Sequence, residues 1–497
     1  MIAAAAAAVL AAGALADTAL PPVQVESGPL AGTTRDGVDR YFGIPYAAPP
    51  VGELRFRAPE PPVKWEGVRQ AASFGSVCRQ TVDWMKAPQS EDCLFLNIWA
   101  PAKPGKYPVI VWIHGGGFFG GSGTQSGPDA GNGIVARDVI LVTINYRLGV
   151  LGFFAHPELS AESPTKASGN QGILDQIAAL KWISRNIAAF GGDPGRVTIV
   201  GASAGASSVA LLSMSPAAKG LFQRGIAESG GAGNLPLQAD AEKRGQDFAN
   251  ALSAPHIADL RKLDAETLLK APWEIEPNID GTTLPGNMAA SYSGGWHNNV
   301  PIITGWDGDE GVDLAPEAMG GKPITLAKYQ GFVKAAFGPQ APTIFKVYPA
   351  ASDAEAEPAA YRLMTDMIGF SAFFWGTQQV NAKAAPAYVY FFVHRPAEPA
   401  TPCTYSCKAG HGSEVKYAFH QLAFDPRVWN ADDRAIENEM TGYWTNFAKT
   451  GDPNGEGPPK WPLFDGTPAS VNVVGMDAEI KERGAFPDFR PYLNLGQ

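Results

Sequence analysis

The stretch VTIVGASAGASS, residues 197–208, decides the fold. Val197, Thr198, Ile199 and Val200 form a β-rich run that favours an extended strand. Gly201 ends that run, and Ser203 then stands among Ala202, Ala204 and Gly205. The residues that follow, AGASSVALLSM (204–214), read as a helix starting at Ala204. Upstream, YPVIVWIH (107–114) and DVILVTINY (138–146) are nearly continuous apolar runs. Strands without polar alternation fit a sheet covered on both faces. Between the second run and Val197 lies NQGILDQIAALKWISRNIAAFGG (170–192). Its Ile173, Ile177, Leu180, Ile183 and Ile187 recur at helical spacing, and Gly191 and Gly192 end the helix. Strand, helix, strand and small-residue turn make a βαβ unit. The expectation is an α/β fold, with a central mostly parallel sheet and helices on both faces.

Further along, residues 235–300 and 315–385 are more polar and less periodic. They read as inserted helical lid or cap regions. AYVYFFVH (387–394) reads as a late strand, and DRAIENEMTGYWTNFAKTGDPN (433–454) as an amphipathic helix closed by a Gly/Pro turn. No internal repeat or low-complexity linker divides the chain, so 17–497 reads as a single domain.

A strand that turns into a helix through G-x-S-x-G, here Gly201 to Gly205, forms a nucleophile elbow. Strand and helix pass close together there, so the neighbours must be small. The Ser203 hydroxyl then sits at the helix N-terminus, whose partial positive charge favours a developing oxyanion.

Several blocks carry a family resemblance. FGGDPGRVTIVGASAG (190–205), EDCLFLNIWAP (91–101), NYRLGVLGFF (145–154), GNQGILDQ (169–176) and FAKTGDPN (447–454) occur in order. The chain resembles the type B carboxylesterase/lipase family, the cholinesterase-like branch of the α/β hydrolases, from about residue 25 to 490. The resemblance implies an α/β-hydrolase fold and a serine esterase working through an acyl-enzyme on Ser203. Among seven histidines, it assigns the base to His411, in AGHGSEVKYAF, where Gly410 and Gly412 flank the imidazole. It assigns the orienting acid to Glu310 in ITGWDGDEGVD, with Asp309 the nearest rival. The order Ser203, Glu310, His411 is that of α/β hydrolases. WIHGGGFFGG (112–121) exposes successive N–H groups after a strand. By resemblance the oxyanion donors are the N–H groups of Gly116, Gly117 and Ala204. Ser229, in AESGG, resembles a supporting serine near the triad. Phe118, Phe119, Trp306 and Trp84 are candidates for an apolar acyl or alcohol pocket. Two positions depart from the family pattern: Ala202 precedes the nucleophile where glutamate is common, and Ala206 follows the second glycine. Loss of the acidic neighbour weakens any case for a choline-type cation. A non-catalytic interaction protein, a serine peptidase and a lipase acting on longer acyl esters are the rival readings.

Bulk properties narrow the partners. The chain has 497 residues and a formal net charge of −10, with no basic block. Nucleic acid and anionic membranes are therefore not expected as partners. The expected partner is a small-molecule ester, the expected state monomer or homodimer, and no cofactor or metal is expected. MIAAAAAAVLAAGALADTAL opens the chain, apolar from Ile2 to Leu15, with an A-L-A pattern before Asp17. It reads as a signal peptide over 1–16, although it lacks Lys or Arg, and implies a secreted or periplasmic protein. It is short for a membrane span, which needs roughly 20 apolar residues. The four cysteines are Cys78, Cys93, Cys403 and Cys407. Two disulfides are expected, with Cys78–Cys93 and Cys403–Cys407 favoured by short separation among three possible pairings. A metal site on Cys403, Cys407 and His411 would lack a fourth ligand. By resemblance, the Cys78–Cys93 loop with Trp84 and Met85 overhangs the active-site mouth.

Overall fold

The computed structural model describes residues 17–396, 408–425 and 427–475. The stretch expected to be a signal peptide, 1–16, and Cys403 and Cys407 lie outside the described residues. Eleven strands form one sheet: β1 Thr18–Ala19, β2 Thr33–Arg35, β3 Val38–Pro45, β4 Phe95–Pro101, β5 Tyr107–Ile113, β6 Ile140–Ile144, β7 Gly192–Ala202, β8 Arg224–Glu228, β9 Ile302–Asp307, β10 Ala387–Phe392 and β11 Asn472–Val474. Their spatial order is β1-β2-β3-β4-β6-β5-β7-β8-β9-β10-β11. The first four strands pair antiparallel, and β4 meets β6 antiparallel. From β6 onward every pairing is parallel. This is an α/β-hydrolase fold.

The apolar strand runs are buried on both faces, as expected. Val109, Val111 and Ile113 join one core cluster with Ile173, Ile177, Leu180 and Ile183. Ile110 faces the other way, packing in a cluster with Leu141, Val200, Ile226 and Ile303. The period of two along β5 thus feeds two cores rather than one core and solvent. On the first face lie α1 (Gln171–Asn186) and α2 (Ala204–Met214). Gly191, at φ 79°, takes the left-handed turn after the short 3-10 extension of α1.

The two less periodic regions are helical insertions. Helices at Gln238–Ala251, Ile257–Leu260 and Ala265–Lys270 build a third cluster with Phe56, Phe154 and Phe248. In the second region lie α3 (Gly311–Ala318) and α4 (Asp353–Asn381), the latter packed along β9. Two more helices follow β10: α5 (Val415–Ala418) and α6 (Ala431–Thr450). No helix among the described residues is long and apolar enough to cross a membrane.

Strand order reverses at β5. The chain leaves β5 for β6 on one side and returns through β7 on the other, with Ile113 opposite both Ile144 and Gly201. In open parallel sheets a crevice forms beyond the carboxyl ends of strands at such a reversal. The segments that leave β5 and β7 are the two glycine-rich stretches of the sequence.

Candidate active site

The nucleophile elbow is a space problem solved with glycine. Ser203 links β7 to α2 with φ 57° and ψ −123°, a conformation that costs a non-glycine residue of order 1–3 kcal/mol. Its N–H donates to the Glu228 carbonyl at 2.8 Å, which helps hold the turn. A Cβ on Gly205 would stand 2.1 Å from the Ile113 carbonyl oxygen, and one on Gly201 would stand 2.5 Å from Gly205. Gly115 is equally confined: its Cβ would lie 2.6 Å from the Ala202 carbonyl and 3.1 Å from the Ser203 Cβ. The small residues around Ser203 therefore let β5, β7 and α2 meet at one point.

The loop after β5 lies against that elbow. Gly116 and Gly117 have φ 106° and 58°. Neither of their N–H groups has an acceptor among the described residues. The Ala204 N–H belongs to the first turn of α2, where no helical acceptor is available. Three N–H groups suited to an oxyanion thus lie on the two segments that meet at the elbow. The loop is fixed from behind. Phe119 and Gly120 donate to the Gly116 carbonyl, and Gly149 donates to the Phe118 carbonyl. His114 stacks on Tyr146, and its buried imidazole is pushed down to about 4, so it is neutral in ordinary buffers. Gln80 grips Gly121 through both a donated and an accepted hydrogen bond. Gln80 lies in the loop closed by the Cys78–Cys93 disulfide, which the structure contains. Sequence reasoning missed Gln80, because nothing local marks a glutamine as a brace for a loop 41 residues away.

His411 and Glu310 arrive from other elements. Glu310 follows β9, and His411 precedes α5. The His411 Nδ1 and Glu310 Oε2 are 2.5 Å apart. The Asp307 N–H donates to the other Glu310 oxygen at 2.9 Å. The His411 N–H donates to Asp313 at 3.0 Å, which ties its loop to α3. Nε2 of His411 is buried and has no hydrogen-bond partner among the described residues. Burial lowers the imidazole pKa, but the Glu310 charge and hydrogen bond, helped by Glu414 and Asp313, outweigh it. The net position is above the ordinary 6.5. The rival acid Asp309 is engaged elsewhere, paired through both oxygens with Arg395 and accepting from the Ala409 N–H.

The remaining candidates divide. Ser229, at φ 57°, donates its hydroxyl to Glu414 at 3.0 Å, three residues beyond His411. Glu414 stands in the HGSE block but was not singled out from sequence. Trp306 is fully buried within β9 and stacks on Phe391, so the expectation that it lines a pocket is corrected: it is sheet core. Phe118 is also buried, against Phe153 and Tyr146. Phe119 and Trp84 remain exposed, and Trp84 lies beside Gly120 of the oxyanion loop. Among the described residues no cluster of His, Cys, Asp or Glu is arranged to hold a metal ion.

The family model of the carboxylesterase family matches residues 19–487. The chain belongs to the carboxylesterase family. It is 36% identical over 473 residues to fumonisin B1 esterase of Sphingopyxis macrogoltabida, covering 88% of this chain and 84% of that protein. It is 36% identical over 504 residues to para-nitrobenzyl esterase of Bacillus subtilis, covering 92% and 95%. A solved PNB esterase superposes with a TM-score of 0.80 at 32% identity, covering 94% of this chain and 99% of that one. This carboxylesterase is thus a carboxylic ester hydrolase, and the arrangement above is where its chemistry is to be sought.

Proposed function

We propose that this protein is an exported serine carboxylesterase that hydrolyses small-molecule carboxylic esters through an acyl-enzyme on Ser203. Ser203 Oγ attacks the ester carbonyl while His411 Nε2 takes the hydroxyl proton. The carbonyl oxygen, now an oxyanion, accepts hydrogen bonds from the N–H groups of Gly116, Gly117 and Ala204. Collapse breaks the bond to the alcohol oxygen, and His411 returns its proton to that oxygen. Water then enters. His411 removes its proton as it attacks the acyl carbon, and the acid leaves as Ser203 recovers its hydrogen. Glu310 holds Nδ1 protonated and stabilises the imidazolium at each stage. No step calls for a cofactor.

The observation that carries this reading is the His411 imidazole, bound on one side by Glu310 and, among the described residues, unpartnered at its buried Nε2. Export rests on residues 1–16 read as a leader, and the Cys78–Cys93 disulfide is compatible with an oxidising compartment. The test is initial rates on p-nitrophenyl esters from acetyl to palmitoyl, with Ser203→Ala alongside. A short-chain preference that falls roughly 10⁶-fold in the variant supports the esterase reading. A long-chain preference moves it to lipase. A folded protein inert at every chain length argues for the interaction-protein reading.

A further inference from the structure

Ester hydrolysis as written leaves three buried carboxyls unused. Glu228, Asp307 and Glu414 are, like Glu310, fully buried. Glu228 ends β8, Asp307 ends β9, and Glu414 opens α5 just after the His411 loop. One oxygen of each has donors. Glu414 Oε1 accepts from the Ser229 hydroxyl and from the Tyr390 hydroxyl, both at 3.0 Å. Asp307 Oδ2 accepts from the Ser413 N–H at 3.1 Å and its hydroxyl at 3.4 Å. Glu228 Oε1 accepts from the Trp444 indole at 2.6 Å. The second oxygens, Asp307 Oδ1, Glu414 Oε2 and Glu228 Oε2, are buried without an N–H or hydroxyl donor among the described residues. Yet Ser413, whose N–H and hydroxyl both bind Asp307, immediately precedes Glu414, so the Asp307 and Glu414 carboxyls are buried side by side, as hydrogen-bonding neighbours.

Two carboxylates cannot bond to one another without a proton. Burying both as anions side by side would add repulsion to a desolvation cost of several kcal/mol per ion. We propose that Asp307 is protonated at the pH where the enzyme works and donates its O–H to Glu414. This carboxyl–carboxylate clasp joins the strand end that carries Glu310 to the loop that carries His411, making Asp307 and Glu414 positioning residues. The inference rests on the Ser203–Glu310–His411 reading of the site.

Donor strength sets which partner holds the proton. Each carboxyl has two donors on one oxygen, but those of Glu414 are two hydroxyls at 3.0 Å, whereas those of Asp307 stand at 3.1 and 3.4 Å. The better hydrogen-bonded Glu414 is the carboxylate. Burial, with the Glu414 and Glu310 charges, holds Asp307 well above the carboxylate range. Burial, with the Glu310 charge, leaves Glu414 above its ordinary value too, but the bonds from Asp307 and Ser229 and the nearby His411 offset part of that rise. The groups facing the pair are Glu310 and His411 from their loops, Ser229 and Glu228 from β8, and Tyr390 from β10. Trp444 of α6 backs Glu228, whose pKa burial and the Glu414 charge push well above the ordinary carboxylate value. Asp313 of α3 stands on the far side of His411 and feels Lys322. Glu414 is among the charges that raise the His411 imidazole.

The experiment compares the whole enzyme with Asp307→Asn, Asp307→Ala and Glu414→Gln. Infrared difference spectra of resting wild type against Asp307→Asn should show the loss of one protonated-carboxyl band. In kcat/KM against pH for p-nitrophenyl acetate, Glu414→Gln should move the acidic limb down by at least about 0.5 unit, since it removes a negative charge near the imidazole. Asp307→Asn, whose amide donates as the acid does, should leave that limb in place. Asp307→Ala should lower kcat ~10–100-fold with little change in KM, and Asn should rescue it. A limb that falls equally in Asp307→Asn and Glu414→Gln, or an infrared difference with no lost band, overturns the clasp. Should Ser203→Ala retain activity, the triad reading fails, and the infrared comparison still decides where the proton is.

Discussion

The two halves of the site are built from opposite materials. On the Ser203 side the parts are backbone: glycines at 115, 116, 117, 201 and 205, a strained serine, and Gly116 and Gly117 N–H groups without an acceptor among the described residues. The buried imidazole behind that glycine loop, His114, is pushed down to about 4. On the His411 side the parts are side chains: four fully buried carboxyls, three hydroxyls and an indole, drawn from the ends of β8 and β9, from β10 and α6, and from the His411 loop. The first half fails when a Cβ is added. The second fails when a charge or proton is misplaced. That division suits acyl transfer, where negative charge develops beside Ser203 and positive charge beside Glu310.

Each half can be broken separately. The largest effect after loss of the nucleophile is expected for Glu310→Gln, which keeps the shape and removes the charge that fixes the imidazole. A drop of about 10⁴-fold in kcat follows from the wrong tautomer. Steady-state rates check this, and a drop under tenfold would move the acid elsewhere. On the opposite side, Gly205→Ala drives a methyl into the Ile113 carbonyl. It should cost ~1–3 kcal/mol of stability, read from denaturant midpoints, and displace Ser203 enough to lower kcat. An unchanged midpoint would show that β5 and α2 can part freely. The pH profile is a gentler probe. His411 must be neutral to act as base, and its pKa is raised by Glu310, so kcat/KM should climb with pH through an inflection above 6.5. An inflection below 6.5 would mean that burial outweighs the carboxylates. The smallest effect belongs to the exposed rim. Phe119→Ala should change the ratio of short- to long-chain ester rates by roughly tenfold with stability unaffected. No change in that ratio would place the acyl group elsewhere.

The same division explains what could be read from the chain. Backbone-built features leave local traces. The run VTIV, the glycines at 201 and 205, and the triplet Gly115–Gly117 predict the strands, the elbow and the donor loop, because each small residue answers a close approach within a few positions. The strand interiors were equally legible, since both faces of β5 are covered. Side-chain networks leave no such trace. Asp307 lies in an acidic stretch that reads as a solvated loop, and only the fold brings it to Glu414, 107 positions later by number. Gln80 bracing Gly121 is invisible for the same reason. Trp306 misled in the opposite direction. An aromatic close to the expected acid can line a pocket or fill the core, and in the folded β9 it is buried against Phe391.

The most direct measurement is intact mass during turnover of a slow ester, quenched in acid and followed by peptide mapping. Accumulation of one acyl group per chain on the peptide containing Ser203, absent in Ser203→Ala, is the expected result. An acyl group on another residue, or full turnover by Ser203→Ala, would contradict the assignment of the elbow serine as nucleophile.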